Sequence, residues 1–166
     1  VVGDTADIAT DVGPVIDAEA FNNIQQHIQR LSVEEKTLVA PEEYSASAMN
    51  SVVNLIAPHA FEVASISDVK AEIFGPVLQV VRWGGDPLDV IRQINALGYG
   101  LTLGIQTRID SRAQALAAAA RVGNVYVNRN MIGAVVGVQP FGGEGLSGTG
   151  PKAGGPNYLL RLCAEQ

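Results

Sequence analysis

With 166 residues, of which 47% are hydrophobic and 17% charged, the chain has the length and composition of a single globular domain, one that buries about 70% of its unfolded surface. Its net charge of −6 comes without any run of Lys or Arg, which argues against nucleic-acid binding by this segment, and no apolar stretch approaches the ~20 residues of a membrane span. One cysteine, Cys163, leaves no internal disulfide, and the two histidines, His27 and His59, stand far apart without metal-ligand spacing, so a cytoplasmic segment without a metal site is expected.

The opening VVGDTADIATD has no initiator Met and no basic leader region, so Val1 is expected to be an internal position of a longer chain. Asp17 to Leu31 reads as a helix. Asp17 is suited to the N-cap, and Phe21, Ile24, Ile28 and Leu31 recur at 3-4-3 spacing on one face. His27 lies off that stripe and is expected to be solvated. Ser32 to Asn54 is weakly patterned, with a helix opening at Pro41-Glu42-Glu43 and running through Met49 to Leu55. Val77–Trp83 reads as a strand. Asp86-Pro87 then starts a helix with Leu88, Ile91, Ile94 and Leu97 inward and Gly98 as its stop. Leu101–Thr107 is a second strand. Asp110 begins an Ala/Leu-rich helix ending at Gly123, and its sparse charges imply packing on both a sheet and a neighbouring helix. Asn124–Asn128 is a third strand. Strands alternating with helices through short connections predict βαβ crossovers, and hence a parallel sheet covered by helices. The tail, Asn157 to Cys163, alternates as a final strand would. Following Gly154-Gly155-Pro156, it is expected to pair elsewhere, on a partner subunit included.

Nine of the 18 glycines fall between Gly133 and Gly155, directly after the third strand. Glycine loses the most conformational entropy on folding, so such crowding serves a loop that needs φ > 0 repeatedly or that offers bare N–H groups to a ligand. Val135, Val136, Val138, Phe141 and Leu146 interrupt the run, and a flexible linker has no use for them. The run leaves the carboxyl end of a strand, where open α/β sheets bind ligands. Within it, Gly143-Glu144-Gly145-Leu146-Ser147-Gly148 formally matches the dinucleotide fingerprint G-x-G-x-x-G. That motif must open a helix. Here Thr149, Gly150, Pro151, Gly154, Gly155 and Pro156 follow instead, which rules that reading out. No G-K-[ST] of a P-loop occurs.

Two segments taken together are more specific. Ala71-Glu72-Ile73-Phe74-Gly75-Pro76-Val77 resembles the E-x-F-G-P-V segment of the aldehyde dehydrogenase superfamily. Pro140-Phe141-Gly142-Gly143-Glu144-Gly145-Leu146-Ser147-Gly148 resembles that family's P-F-G-G-x-x-x-S-G loop. They occur in the family's order and at about its spacing, and the similarity runs from Asp11-Val12-Gly13-Pro14-Val15 to the end of the chain. Asn95–Thr107 and the run from Gly123 to Pro156 look most like the glutamate-semialdehyde dehydrogenase domain of bacterial bifunctional proline utilisation A enzymes. One departure is Ala57-Pro58-His59-Ala60, which stands where the family has A/P-P-T-L ahead of a strand; a structural consequence is expected.

The resemblance implies an α/β fold of three αβα layers around a mostly parallel sheet. Residues 1–156 would form the C-terminal part of the catalytic domain, and 157–166 a C-terminal strand for oligomerisation. It implies NAD as cofactor. Glu72 matches the glutamate that accepts from the nicotinamide ribose hydroxyls, a role suited to an acceptor-only carboxylate, and Phe74 matches the aromatic beside the nicotinamide. Gly133 and Ala134 match positions whose N–H groups anchor the α-carboxylate of an aldehyde substrate, through charge-assisted bonds of about 1.5–3 kcal/mol each. Phe141 matches an aromatic wall of the aldehyde pocket. The implied partners are a small-molecule aldehyde, the Rossmann and proline dehydrogenase domains of the same enzyme, and further copies of the enzyme.

The family chemistry also needs a cysteine nucleophile, an oxyanion site and a glutamate base. In the family these precede the region matched here, so no catalytic residue is assigned to this chain. Cys163, in LLRLCAEQ, has no base nearby in sequence and is no substitute. The expected function is therefore part of an enzyme that oxidises L-glutamate γ-semialdehyde to glutamate, a part inactive alone. The alternative is a non-catalytic module for assembly or for covering a tunnel; the presence of Glu72, Phe74, Gly133, Ala134 and Phe141 favours the enzyme.

Overall fold

The computed structural model describes residues 1–41, 53–69, 71–132, 138–148 and 152–163. Helices and strands share an α/β chain that divides into two compact units, Val1–Arg82 and Trp83–Gln166. Most of the helix expected from Pro41 to Leu55 falls outside the described residues. Among the described residues no helix is long and apolar enough to cross a membrane.

The first unit is built on helix α1, Ala18–Glu34. The Asp17 side chain accepts from the Ala20 N–H at 2.8 Å, satisfying one of the donors that a helix start leaves free. Ile24, Ile28 and Leu31 are buried, as their spacing requires. The helix runs one turn past Leu31, until the Glu35 N–H closes on the Leu31 carbonyl at 2.8 Å. His27 is half-buried, not solvated, because the Arg30 side chain folds back to 3.4 Å from its Nε2. Three strands follow: β1, Lys36–Val39, β2, His59–Val63, and β3, Val77–Val81. β2 is central, antiparallel to β1 and parallel to β3, with His59 opposite Val77 and Val63 opposite Val81. Phe61 and Val63 of β2 meet Ile24, Ile28 and Leu31 of α1 and Ile56 in one apolar cluster. On the central strand, Glu62 accepts from Lys36 at 3.3 Å and from Arg82 at 2.9 Å, which holds its carboxyl below the usual carboxylate range, the Arg82 hydrogen bond contributing most.

The second unit opens with helix α2, Pro87–Ala96, which Asp86 caps by accepting from the Leu88 N–H at 2.9 Å. Ile91 is buried and Leu88 and Ile94 partly so. Leu97, expected inward, is the C-cap and is exposed, because the chain turns at Gly98, whose φ of +79° is open to glycine at little cost. Strands β4, Tyr99–Gly100, and β5, Thr102–Ile105, lead to helix α3, Asp110–Ala119, and then to β6, Asn124–Val127, and β7, Glu144–Gly145. β5 and β6 are parallel with Thr102 opposite Asn124, as a βαβ unit demands. β4 and β7 are antiparallel. Ile91, Ile105 and Leu116 form the core of this unit. Helix α3 stops short of Gly123. The Asn95 side chain donates to the Ala119 carbonyl and accepts from the Arg121 N–H, both at 2.9 Å, so that carbonyl and that N–H are satisfied while Ala120 takes extended geometry.

In the tail, Leu159–Leu162 forms a 3-10 turn rather than the expected strand. A strand exposes its N–H and C=O groups unless an edge pairs with them, whereas a 3-10 turn closes i→i+3 bonds within itself, here from the Cys163 N–H to the Leu160 carbonyl.

Candidate functional site

The sequence places its candidate residues in both units. Glu72 and Phe74 lie in the first, on the strap that leads from the 3-10 turn Ile66–Asp68 into β3. Ser65 Oγ donates to the Asp68 carboxylate at 2.7 Å and sets that turn. The strap is held to the core through Ile73, which packs against the α1–β2 cluster. Past Ile73 the backbone folds on itself twice. The Gly75 N–H reaches the Ile73 carbonyl at 2.9 Å, and the Val77 N–H reaches the Gly75 carbonyl at 2.8 Å. Glu72 and Phe74 bracket this half-buried anchor and are both exposed. The Phe74 ring is 83% exposed, an unfavourable placement for a phenyl group in water. Among the described residues no cation stands within ion-pair distance of Glu72. An acceptor-only carboxylate and an open aromatic face two residues apart suit a ligand that brings a pair of hydroxyls and a flat ring.

Beside this strap a cavity of about 430 Å³ opens between Pro58–Ala60 and Gly75–Leu78. Among the described residues His59 is its one ionisable lining residue. The Nδ1 of His59 lies 2.7 Å from the Ala57 carbonyl; since a carbonyl only accepts, Nδ1 is the donor. The ring stacks over Phe61 with centroids 6.1 Å apart and planes 11° apart. The histidine at this position thus serves the strand start and the packing of β2.

Phe141 lies in the second unit and is half-buried. Around it, residues 138–148 are laced to the strands beneath. The Leu146 N–H donates to the Gly98 carbonyl at 2.9 Å, and Ser147 Oγ accepts from the Gly100 N–H at 3.0 Å. The Phe141 N–H and carbonyl both bond to Ala153, at 3.0 and 2.8 Å. Gln139 donates to the Tyr126 hydroxyl at 3.2 Å. The formal G-x-G-x-x-G from Gly143 to Gly148 contains β7 and a turn, with no helix start among the described residues. Gly133 and Ala134 lie outside the described residues.

At the far end of β6, Asn128 adopts a left-handed φ of +53°. Its amide accepts from the Thr107 N–H at 2.9 Å and donates to the Thr107 carbonyl at 2.8 Å, locking the ends of β5 and β6 together just before the glycine run. Sequence reasoning does not single this residue out; the signal available is the asparagine itself, a residue that tolerates left-handed geometry. Cys163 is exposed, and its thiol donates to the Leu159 carbonyl at 3.5 Å. Among the described residues no three His, Cys, Asp or Glu side chains come together as metal ligands would.

The profile of the aldehyde dehydrogenase family matches residues 1–166. The bifunctional protein PutA of Klebsiella aerogenes is 53% identical over 168 residues, covering 99% of this chain and 13% of that protein. The 1-pyrroline-5-carboxylate dehydrogenase of Geobacillus kaustophilus is 37% identical over 161 residues, covering 96% of this chain and 30% of the relative. Among solved structures, a variant of Bradyrhizobium japonicum proline utilization A superposes with a TM-score of 0.87 at 51% identity, over 99% of this chain and 16% of that one. A Thermus 1-pyrroline-5-carboxylate dehydrogenase with bound NAD gives a TM-score of 0.81 at 33% identity, over 96% of this chain and 30% of that one. The chain therefore spans only a small part of the length of the relatives it matches.

Proposed function

The chain belongs to the aldehyde dehydrogenase family, and from that premise we propose that it is the C-terminal part of the catalytic domain of an NAD-dependent enzyme that oxidises L-glutamate γ-semialdehyde to glutamate in proline catabolism. The observation that carries the reading is the 53% identity to a PutA over 99% of the chain. The exposed Glu72–Phe74 pair and the laced Phe141 loop support it. In this reading the parent domain is three-layered around a mostly parallel sheet, acts in the cytoplasm, and assembles with further copies of itself through residues 157–166.

Glu72 would hold the ribose hydroxyls of NAD and Phe74 would lie against the nicotinamide, which replaces water on a ring that is otherwise 83% exposed. When bound, NAD supplies the hydride acceptor. On the substrate side, the Gly133 and Ala134 N–H groups would receive the α-carboxylate, and Phe141 would wall the aliphatic stem. These residues bind, orient and exclude water; the nucleophile and the base belong to the remainder of the parent enzyme, and this chain alone is inactive.

The test is steady-state NADH formation from glutamate semialdehyde by the full-length protein, set against the 166-residue chain. Turnover by the full-length protein and none by the chain is expected. A full-length protein without turnover would establish the non-catalytic module instead, and turnover by the chain alone would overturn the placement of the nucleophile outside it.

A further inference from the structure

We propose that Asn124 is the positioning residue for Phe141, fixing where the aromatic wall stands and thereby how tightly the aldehyde is held. This rests on the substrate role proposed above for Phe141.

Asn124 opens β6, and its side chain turns both amide atoms to the loop. Nδ2 donates to the Pro140 carbonyl at 3.0 Å, and Oδ1 accepts from the Gly142 N–H at 3.2 Å. These two groups belong to the peptide units on either side of Phe141. The remaining backbone groups of that segment, the Phe141 N–H and carbonyl, are both taken by Ala153. All four polar groups that set the φ and ψ of Phe141 are therefore engaged, two by one side chain and two by a facing backbone. The Cα–Cβ direction of Phe141 is fixed relative to β6.

Two further contacts press the loop onto the same spot. A Cβ at Gly123, the residue before Asn124, would come within 1.8 Å of the Gly142 carbonyl oxygen, so the loop lies directly on the backbone there. The Lys152 ammonium donates to the Gly123 carbonyl, tying the segment that carries Ala153 to the start of β6. A wall set by this many bonds is preorganised, which is how a pocket turns ligand contact into affinity.

The side chain must be an amide. Aspartate keeps the acceptor for Gly142 but faces the Pro140 carbonyl with a second acceptor. Alanine removes both bonds. No other carbon-chain side chain of this length carries a donor and an acceptor on one planar group.

The experiment is a double-mutant cycle in the full-length enzyme with glutamate semialdehyde and NAD. Asn124→Ala is expected to raise KM about tenfold with kcat within about twofold. Phe141→Ala is expected to do the same, and the double variant to be no worse than Phe141→Ala alone, because a wall that is absent needs no positioning. Multiplicative effects in the double variant would overturn the proposal and leave Asn124 as a general stabiliser. A raised KM for Phe141→Ala with an unchanged one for Asn124→Ala would overturn it too. An unchanged KM for Phe141→Ala would instead overturn the substrate role of Phe141. Should Asn124→Ala fail to fold, Asn124→Asp carries the same cycle, with a rise in KM of about tenfold expected from the lost bond and the two acceptors set face to face.

Discussion

The two loops that carry the candidate residues are held in different ways. In the first unit, the strap from Ala71 to Val77 is fixed by packing: Ile73 lies against the cluster of α1 and β2, and two short backbone bonds fold the chain beyond it. In the second unit, the loop around Phe141 is fixed by polar clamps: Asn124 and the Gly98 carbonyl hold its backbone, and its own Ser147 hydroxyl accepts from the Gly100 N–H. Packing tolerates small displacements, since dispersion and burial are not directional. A bidentate amide clamp allows little, since both bonds weaken steeply with angle. A flat cofactor ring needs a hydrophobic face near it, and an aldehyde stem needs a wall in one place. Each loop is held in the manner its proposed ligand requires.

The contrast can be tested at its strongest point first. Phe61→Ala removes the fully buried ring on which the first unit rests and is expected to lower stability by about 3–5 kcal/mol. Urea unfolding of the chain should show this as a lower midpoint at unchanged slope, and amide exchange across Ala71–Val77 should accelerate with it. Exchange there that does not respond would mean the strap is not held by the core. The second loop has its counterpart in Gly123→Ala, whose new Cβ would meet the Gly142 carbonyl oxygen at 1.8 Å. A loss of about 1–3 kcal/mol is expected, with loss of protection at the Gly142 amide. Full retention of that protection would show that the loop does not rest on Gly123.

This difference also explains what the sequence made legible. Packing leaves a period in the sequence, and Ile24, Ile28 and Leu31 at helical spacing announce the buried face of α1. Likewise, strand–helix–strand order announced the parallel pairing of β5 with β6. β1 was invisible because all four of its residues are exposed and carry no alternation. Polar clamps leave no period at all. Asn95, Asn124 and Asn128 each satisfy a backbone donor and a backbone acceptor far along the chain, yet in sequence Asn95 looks like an ordinary helix residue and the other two like ordinary strand ends. The early end of α3 at Ala119 followed from one of them. The motifs E-x-F-G-P-V and P-F-G-G-x-x-x-S-G pointed to Glu72, Phe74 and Phe141 but gave no sign of what holds them.

A milder variant separates clamp from core on the structural side alone. Asn95→Ala leaves the packing of Ile91, Ile105 and Leu116 intact but frees the Ala119 carbonyl and the Arg121 N–H. About 1 kcal/mol of stability should be lost, with faster exchange confined to the last turn of α3 and the start of β6. A loss as large as that of Phe61→Ala would erase the distinction between the two kinds of support.

The smallest expected effect lies on the packed side and is a matter of pH. Burial pushes the His27 imidazole below its ordinary value of 6.5, the Arg30 charge adds to this, and Glu34 opposes both. The geometry agrees. Arg30 Nη2 stands 3.4 Å from His27 Nε2, and a guanidinium only donates, so Nε2 must keep its lone pair to accept. A group whose folded pKa is lowered binds fewer protons folded than unfolded at mildly acidic pH. Its contribution to stability is therefore complete above the unfolded value and is lost as pH falls through the folded one. The first unit should weaken modestly as pH falls below about 6.5, well before the carboxylates titrate. His27→Gln keeps an acceptor near Arg30 and removes the titration. Urea midpoints of the wild-type chain should fall between about pH 7 and pH 5, while those of the variant stay level through that window. Parallel curves would mean that His27 is solvated in the folded chain, and that the Arg30 side chain does not cover this face of α1.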